Sequence, residues 1–284
     1  MSFIRGAFLL VTCIGSIAIG IWQGHAILFS PQLNPVYGPN PTLFALLVLA
    51  QSMLQVFWLW KIYLRESALA GEAEHLPEAK VEEVNNSGRY NAELLFSPIL
   101  VIEYICLIAW HFSWRKENFI RCEIISMFNT AMHLFAVYWL FPQTCDSAMV
   151  SEGTARTRLL SRTSTGIAFL YLWKVWGVID EAIAPAISQR LQTGIVFILL
   201  TISSGPEPTL GLCLLCNLIV MILGPCQIPE WRKTFICIST AIAVVIVLDY
   251  FMNGRRQGVM LGESSEESVE ESHALVEFRV PATQ

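Results

Sequence analysis

Charge is scarce in this chain. Only 14% of its 284 residues are Asp, Glu, Lys or Arg, where ordinary soluble domains carry about 25%. Hydrophobic residues make up 54%, and the mean hydropathy is +0.54. A soluble globular domain of this composition would leave far too much apolar surface in water, which excludes that class. Catalytic signatures are missing as well: the chain has no P-loop, nucleophile elbow, HExxH, haem-attachment pattern or Asp-rich prenyltransferase motif. That argues against nucleotide-driven and metal-dependent chemistry, and no cofactor is expected. No basic excess marks a nucleic-acid partner. The formal net charge is -5 and is concentrated in "RESALAGEAEHLPEAKVEEV" and "GESSEESVEESHALVEF", both polar enough to be disordered.

A disulfide framework is excluded too. Most of the eight cysteines (13, 106, 122, 145, 213, 216, 226 and 237) lie inside apolar runs, where Cys acts as a small hydrophobe. "CLLC" at 213–216 has the spacing of a metal or redox pair, but no second pair accompanies it, so no metal site is expected.

What the chain has instead is apolar runs of roughly twenty residues, the length that crosses a hydrocarbon core of about 30 Å. Eight are read, near 7–27, 41–63, 94–114, 120–141, 165–187, 190–205, 208–226 and 233–252. The sixth is short and ends in "SSGPEP"; taken as a half-helix, it lowers the count to seven. The expected fold is all-α, a polytopic membrane helix bundle of seven to eight transmembrane helices. Residues 1–252 form the bundle and 253–284 an acidic, disordered cytosolic tail. The first run is read as a retained helix, because "IWQGHAILFSP" has no small-x-small cleavage pattern.

Lys and Arg in the connecting segments set orientation. With the N-terminus inside, the cytosolic segments, including a 142–164 loop with Arg156, Arg158 and Arg162, hold eleven of these residues against six opposite. The expectation is an integral membrane protein of the endoplasmic reticulum with both termini cytosolic. The sequon at Asn85 then faces the cytosol and stays unmodified. Trp22, Trp58, Trp60, Trp110, Trp114, Trp139 and Trp231 fall near run ends, as an interfacial belt would.

Ionisable groups deep in a span cost at least roughly 2.5 kcal/mol each, so they face a partner or a cavity. The candidates are Glu103, His111, Glu123, His133, Lys174, Asp180, Glu181 and Asp249. His111 and Glu123 flank "WRKENFIR" and read as interfacial. Glu103 is too short to snorkel, and His133 is also deep. Asp249 lies near the end of the last run and can reach headgroup depth. Spacing at 100° per residue puts Trp110 and Trp114 on the Glu103 face, and Asn129 with His133 on one face of the next span. "LWKVWGVIDEAIAP" divides into two stripes, Lys174 with Glu181, and Trp173 and Trp176 with Asp180. The plainer readings are a Lys174–Glu181 ion pair, an interfacial Asp180–Glu181 and a His133 bonded to a neighbouring carbonyl. The uncharged "FSPQLNPVYGPNPT", with four prolines, reads as a stiff strap, either capping a cavity or forming a tight interfacial loop.

If these faces converge, they form a pocket for a lipophilic small molecule within the bilayer. A carboxyl in dry, apolar surroundings stays protonated at neutral pH. It can protonate an epoxide or an alkene, while an aromatic face steadies the developing cation. A second carboxylate or an imidazole then removes a proton or positions water. Glu103, Asp180, Glu181, His133 and Asp249 are the candidate catalytic groups. Trp110, Trp114, Trp173, Trp176, Asn129 and Lys174 are the candidate substrate contacts.

In size, span number and isolated acids, the chain resembles the small multi-pass terpene cyclases of fungal pyripyropene-type meroterpenoid pathways. That resemblance implies epoxide opening with cyclisation or hydrolysis in terpenoid or polyketide metabolism. It gives the proton work to an early-span acid and a late-span Asp, for which Glu103 and Asp249 are the nearest counterparts. It covers architecture; the family's Asn-x-x-Trp-Glu signature has no equivalent here. The segment "SPQLNPVYGPNPTLFALLVLAQSMLQVFWLW" also looks similar to TspO-type proteins, whose proline-rich turn leads into a span with a Trp pair. That likeness implies a binding or transport protein for a hydrophobic ligand. A structural subunit that docks partner helices is the third reading.

Overall fold

The computed structural model describes residues 36–73, 91–141, 152–180, 186–203 and 208–252. Outside these lie the first apolar run, the Asn85 sequon, Glu181 and the acidic tail. The described residues are all-helical apart from turns and a lone bridge between Tyr37 and Cys226. Seven helices run through them: α1 (Pro41–Ala73), α2 (Asn91–Arg115), α3 (Phe119–Phe135), α4 (Glu152–Ile179), α5 (Ile187–Ser203), α6 (Thr209–Ile222) and α7 (Pro229–Met252). A π-helical turn, Ala136–Leu140, extends α3. Three stretches are long and apolar enough to cross a membrane: Pro41–Leu64 of α1, Phe96–Arg115 of α2 and all of α7.

Local sequence sets several of the starts. "NPT" opens α1: Asn40 Oδ1 accepts from the backbone N–H groups of Thr42 (3.1 Å) and Leu43 (3.2 Å), and Pro41 occupies the first helical position, where no N–H is needed. Asn118 caps α3 by accepting from the Arg121 N–H. The tight turn before it holds Glu117 at φ 55°, which lets α3 fold back antiparallel to α2.

α4 is the hub, and it differs most from the sequence reading. It begins at Glu152, so the second half of the expected 142–164 loop is helix. Arg158 and Arg162 are 8% and 3% exposed rather than solvated loop residues. The cause is position. α4 is wrapped by other helices, so its side chains need protein partners and not lipid. Its first half is therefore written in Thr, Ser and Arg, which a hydropathy window rejects. Small residues let helices approach closely, and interhelical hydrogen bonds between such groups contribute about 0.6 kcal/mol each on average.

α1 meets α4 antiparallel along a seam that steps seven residues on both helices. Phe44 packs edge-on against Tyr171 at 5.1 Å between ring centroids. Gln51 Nε2 donates to Ser164 Oγ at 2.7 Å, and Trp58 Nε1 donates to Thr157 Oγ1 at 2.9 Å. A seven-residue step is the signature of left-handed helix packing. On the far side, Asn217 of α6 donates to the Gly166 carbonyl at 2.7 Å.

Large apolar side chains face outward: Leu46, Met53 and Phe57 on α1, Ile105 and Phe112 on α2, Ile124 and Phe128 on α3, and Val247, Leu248 and Phe251 on α7. Polar side chains turn inward. The tryptophans depart from the expected belt. Trp58, Trp110, Trp114 and Trp231 are buried, while Trp60 and Trp139 are exposed. Position near a run end does not decide which way a ring points; the helix face does.

Candidate functional site

Glu103 sits midway along α2 and is 3% exposed. Three helices surround its carboxyl. From α3, His133 Nε2 lies 3.6 Å from Oε2, which is contact distance but beyond a hydrogen bond. From α1, Gln55 Nε2 donates to both oxygens, at 3.5 and 3.4 Å. Tyr104 OH donates to Gln55 Oε1 at 2.9 Å, which turns the amide N–H₂ toward Glu103. From α4, Ser164 is within hydrogen-bonding reach. Ser164 itself accepts from Gln51, so a polar chain crosses from α1 through α4 to the carboxyl.

The helices that meet at this pair also carry buried polar atoms that make no hydrogen bond within the protein. They are His133 Nδ1 and Nε2, Asn129 Oδ1, Ser126 Oγ, Ser161 Oγ, Tyr171 OH and Trp110 Nε1. Leaving a buried donor or acceptor unmade costs about 1–3 kcal/mol, so the two unpartnered His133 nitrogens beside Glu103, with the unpartnered Tyr171 OH within its electrostatic reach, mark a place built for something other than packing. Gln51, Gln55, Ser161, Ser164 and Tyr171 were not among the residues expected from sequence. The i, i+4 glutamines in "QSMLQ" and the seven-residue polar steps of "TRLLSRTSTGIAFLY" carry that signal.

About 10 Å further along, at 1.5 Å per residue, α2 contributes Trp110 and Trp114, stacked at 4.8 Å and 16°. Lys174 of α4 points its ammonium into this wall, 4.8 Å from the Trp114 centroid, 5.6 Å from Trp110 and 5.9 Å from Phe44 of α1. A cation over an aromatic face gains roughly 0.5–2 kcal/mol. Taking an ammonium out of water costs several kcal/mol. The rings therefore offset part of the burial and leave a net demand for negative charge. Glu181, the partner expected from sequence, lies outside the described residues. Tyr171 and Trp110 link the two stations, their rings meeting edge-on at 4.9 Å. His111, expected at the interface, is buried beside the same rings.

The other candidates fall elsewhere. Asp180 ends α4 and accepts from Tyr37 OH at 2.9 Å. It lies about 24 Å along the helix from Ser164, too far to share Glu103's chemistry. Burial, and then the Asp180 carboxylate, hold the Tyr37 phenol above its usual range, so it stays a donor. Trp176 donates to Glu123 Oε1 at 2.9 Å. Trp173 lies within an aromatic knot with Tyr37, Phe197, Trp231 and Phe235. These contacts tie the strap down: Val36 N donates to Gly177 O, Gly38 N to Pro225 O, and Gln227 N to Val36 O. Asp249 is half-buried on α7, three residues from its end. Tyr37→Phe is expected to lower stability by about 1 kcal/mol, the worth of one hydrogen bond, in detergent-micelle thermal unfolding. An unchanged midpoint would show that Asp180 does not anchor the strap.

Cys213 and Cys216 are free thiols, and no group of three metal-ligating side chains occurs among the described residues. Set against protein-family models, curated proteins and solved structures, the chain matches none, so the site is read from its own geometry.

Proposed function

We propose that this chain is a polytopic bundle of seven to eight transmembrane helices in the endoplasmic reticulum membrane, with both termini cytosolic. Within it, an acid/base site acts on a lipophilic small molecule. The observation that carries the reading is the buried Glu103 carboxyl opposite the His133 imidazole, whose two ring nitrogens make no hydrogen bond within the protein. One group of the pair supplies a proton and the other receives one. The reaction that suits them is epoxide opening. Glu103 delivers its proton to the epoxide oxygen as the C–O bond breaks. An internal alkene attacks the carbon, and a neighbouring proton passes to His133. The net change is an isomerisation that needs no co-reactant, and water in place of the alkene gives hydrolysis. Trp110 and Tyr171 present π-surface to the developing cation. Asp180 and Asp249 are assigned no step.

The assay is mass spectrometry of polyene epoxides incubated with the protein in lipid nanodiscs. Glu103→Gln keeps the shape of the side chain and removes its acidity. Its expected effect is a loss of about 10²–10⁴ in rate, the usual contribution of general acid catalysis. Absence of conversion by the wild type, together with tight binding of the epoxide in both forms, would sink the enzyme reading. The aromatic walls around Lys174 favour a second reading in that case, a TspO-like binding or transport protein for a hydrophobic ligand.

A further inference from the structure

The acid/base reading leaves Lys174 unused. Its ammonium lies against Phe44 of α1 and Trp110 and Trp114 of α2, on a side chain that is partly buried. The titratable groups near it are His111 of α2 and Cys122 of α3, with the exposed Arg115 guanidinium also near His111, and none of them supplies a negative charge. The other carboxylates described nearby are committed: Glu103 to Gln55 and His133, Glu123 to Trp176, and Asp180 to Tyr37. Trp110 Nε1 and Tyr171 OH, on the same wall, are buried donors with no internal acceptor. A cation stands at one end of this stretch and two unpartnered donors lie between it and Glu103. A single ammonium neutralises a single charge, so a monoanion fits better than a phosphate dianion.

Resting on the reading of this core as a ligand site, we infer that Lys174 binds the carboxylate of a lipophilic acid, whose body extends past Trp110 and Tyr171 toward Glu103. The substrate class is therefore a carboxylic acid with a long apolar body, held by its head at one station and processed at the other.

The test uses the full chain in nanodiscs of zwitterionic lipid and measures binding of radiolabelled dodecanoate, dodecyl phosphate and dodecanol. The wild type is expected to bind dodecanoate at least tenfold more tightly than dodecanol and more tightly than dodecyl phosphate. Lys174→Met should abolish the preference over dodecanol while dodecanol binding stays unchanged, which shows the pocket intact. Lys174→Arg should restore part of it, and Glu181→Gln should leave it in place. Equal affinity for dodecanoate and dodecanol in the wild type overturns the inference, as does an undiminished preference in Lys174→Met. Tighter binding of dodecyl phosphate also overturns the carboxylate assignment. If neutral polyene epoxides are converted while dodecanoate is ignored, the inference fails and the acid/base reading stands. If neither occurs, both fail.

Discussion

Gly177→Ala is expected to destabilise the protein by about 3 kcal/mol or more, although glycine-to-alanine changes inside helices ordinarily stabilise by up to ~1 kcal/mol. The reason is contact with backbone. A Cβ on Gly177 would overlap the Tyr37 carbonyl of the strap, and one on Gly224 would overlap the Gly38 carbonyl. A side chain in the way could change rotamer; a backbone held by hydrogen bonds at Val36, Gly38 and Asn40 cannot. It must lift, breaking hydrogen bonds worth about 0.5–1.5 kcal/mol each and withdrawing Tyr37 from its aromatic knot. Gly194→Ala is the control, because a Cβ there meets Ile238 at an ordinary 3.6 Å, and it should be neutral or mildly stabilising. Denaturant unfolding in mixed micelles decides the matter. If Gly177→Ala matches Gly194→Ala, the strap does not press on α4 as described.

The second large effect concerns Glu103 and His133. Either Glu103→Leu or His133→Leu alone should cost about 1–3 kcal/mol, the first because it strands the buried Gln55 amide and both because the polar contact at 3.6 Å is lost. The double replacement should cost less than the sum by about 0.5–3 kcal/mol, the coupling of two residues in contact. Additivity within ~0.5 kcal/mol in the same unfolding assay would mean that 3.6 Å between Oε2 and Nε2 is proximity without coupling. The cycle is independent of any activity. Glu103→Gln keeps an acceptor for the Gln55 amide and is therefore the proper variant for the rate measurement.

Much of this arrangement is visible in the sequence, and the invisible parts have a common cause. Helix starts such as "NPT" and "ENF" are local chemistry and can be read directly. So can the long apolar helices α1, α2 and α7, because composition over twenty residues fixes what lipid accepts. The depth of Glu103 and His133, and the helical spacing of Trp110 and Trp114, follow from periodicity alone. The first half of α4 is different. "RTRLLSRTST" looks like a solvated loop to any hydropathy measure, because such measures do not count polar partners on neighbouring helices.

Which faces meet was decided by the tertiary structure. Residues 44, 51 and 58 oppose 171, 164 and 157 only because α1 and α4 run antiparallel with a seven-residue seam. That seam brings Gln55 to Glu103 and closes Phe44 over Lys174. Asp180 and Trp176 share a helix with Lys174, yet they are claimed by Tyr37 and Glu123, partners far away in the chain. The sequence by itself determined that ionisable groups would be buried among apolar helices, since insertion energy depends on residue type and depth. Pairing among those groups was left to the fold, because a side chain's partner depends on which neighbouring helix lies within about 3 Å of it, and spacing within one helix carries no information about the next.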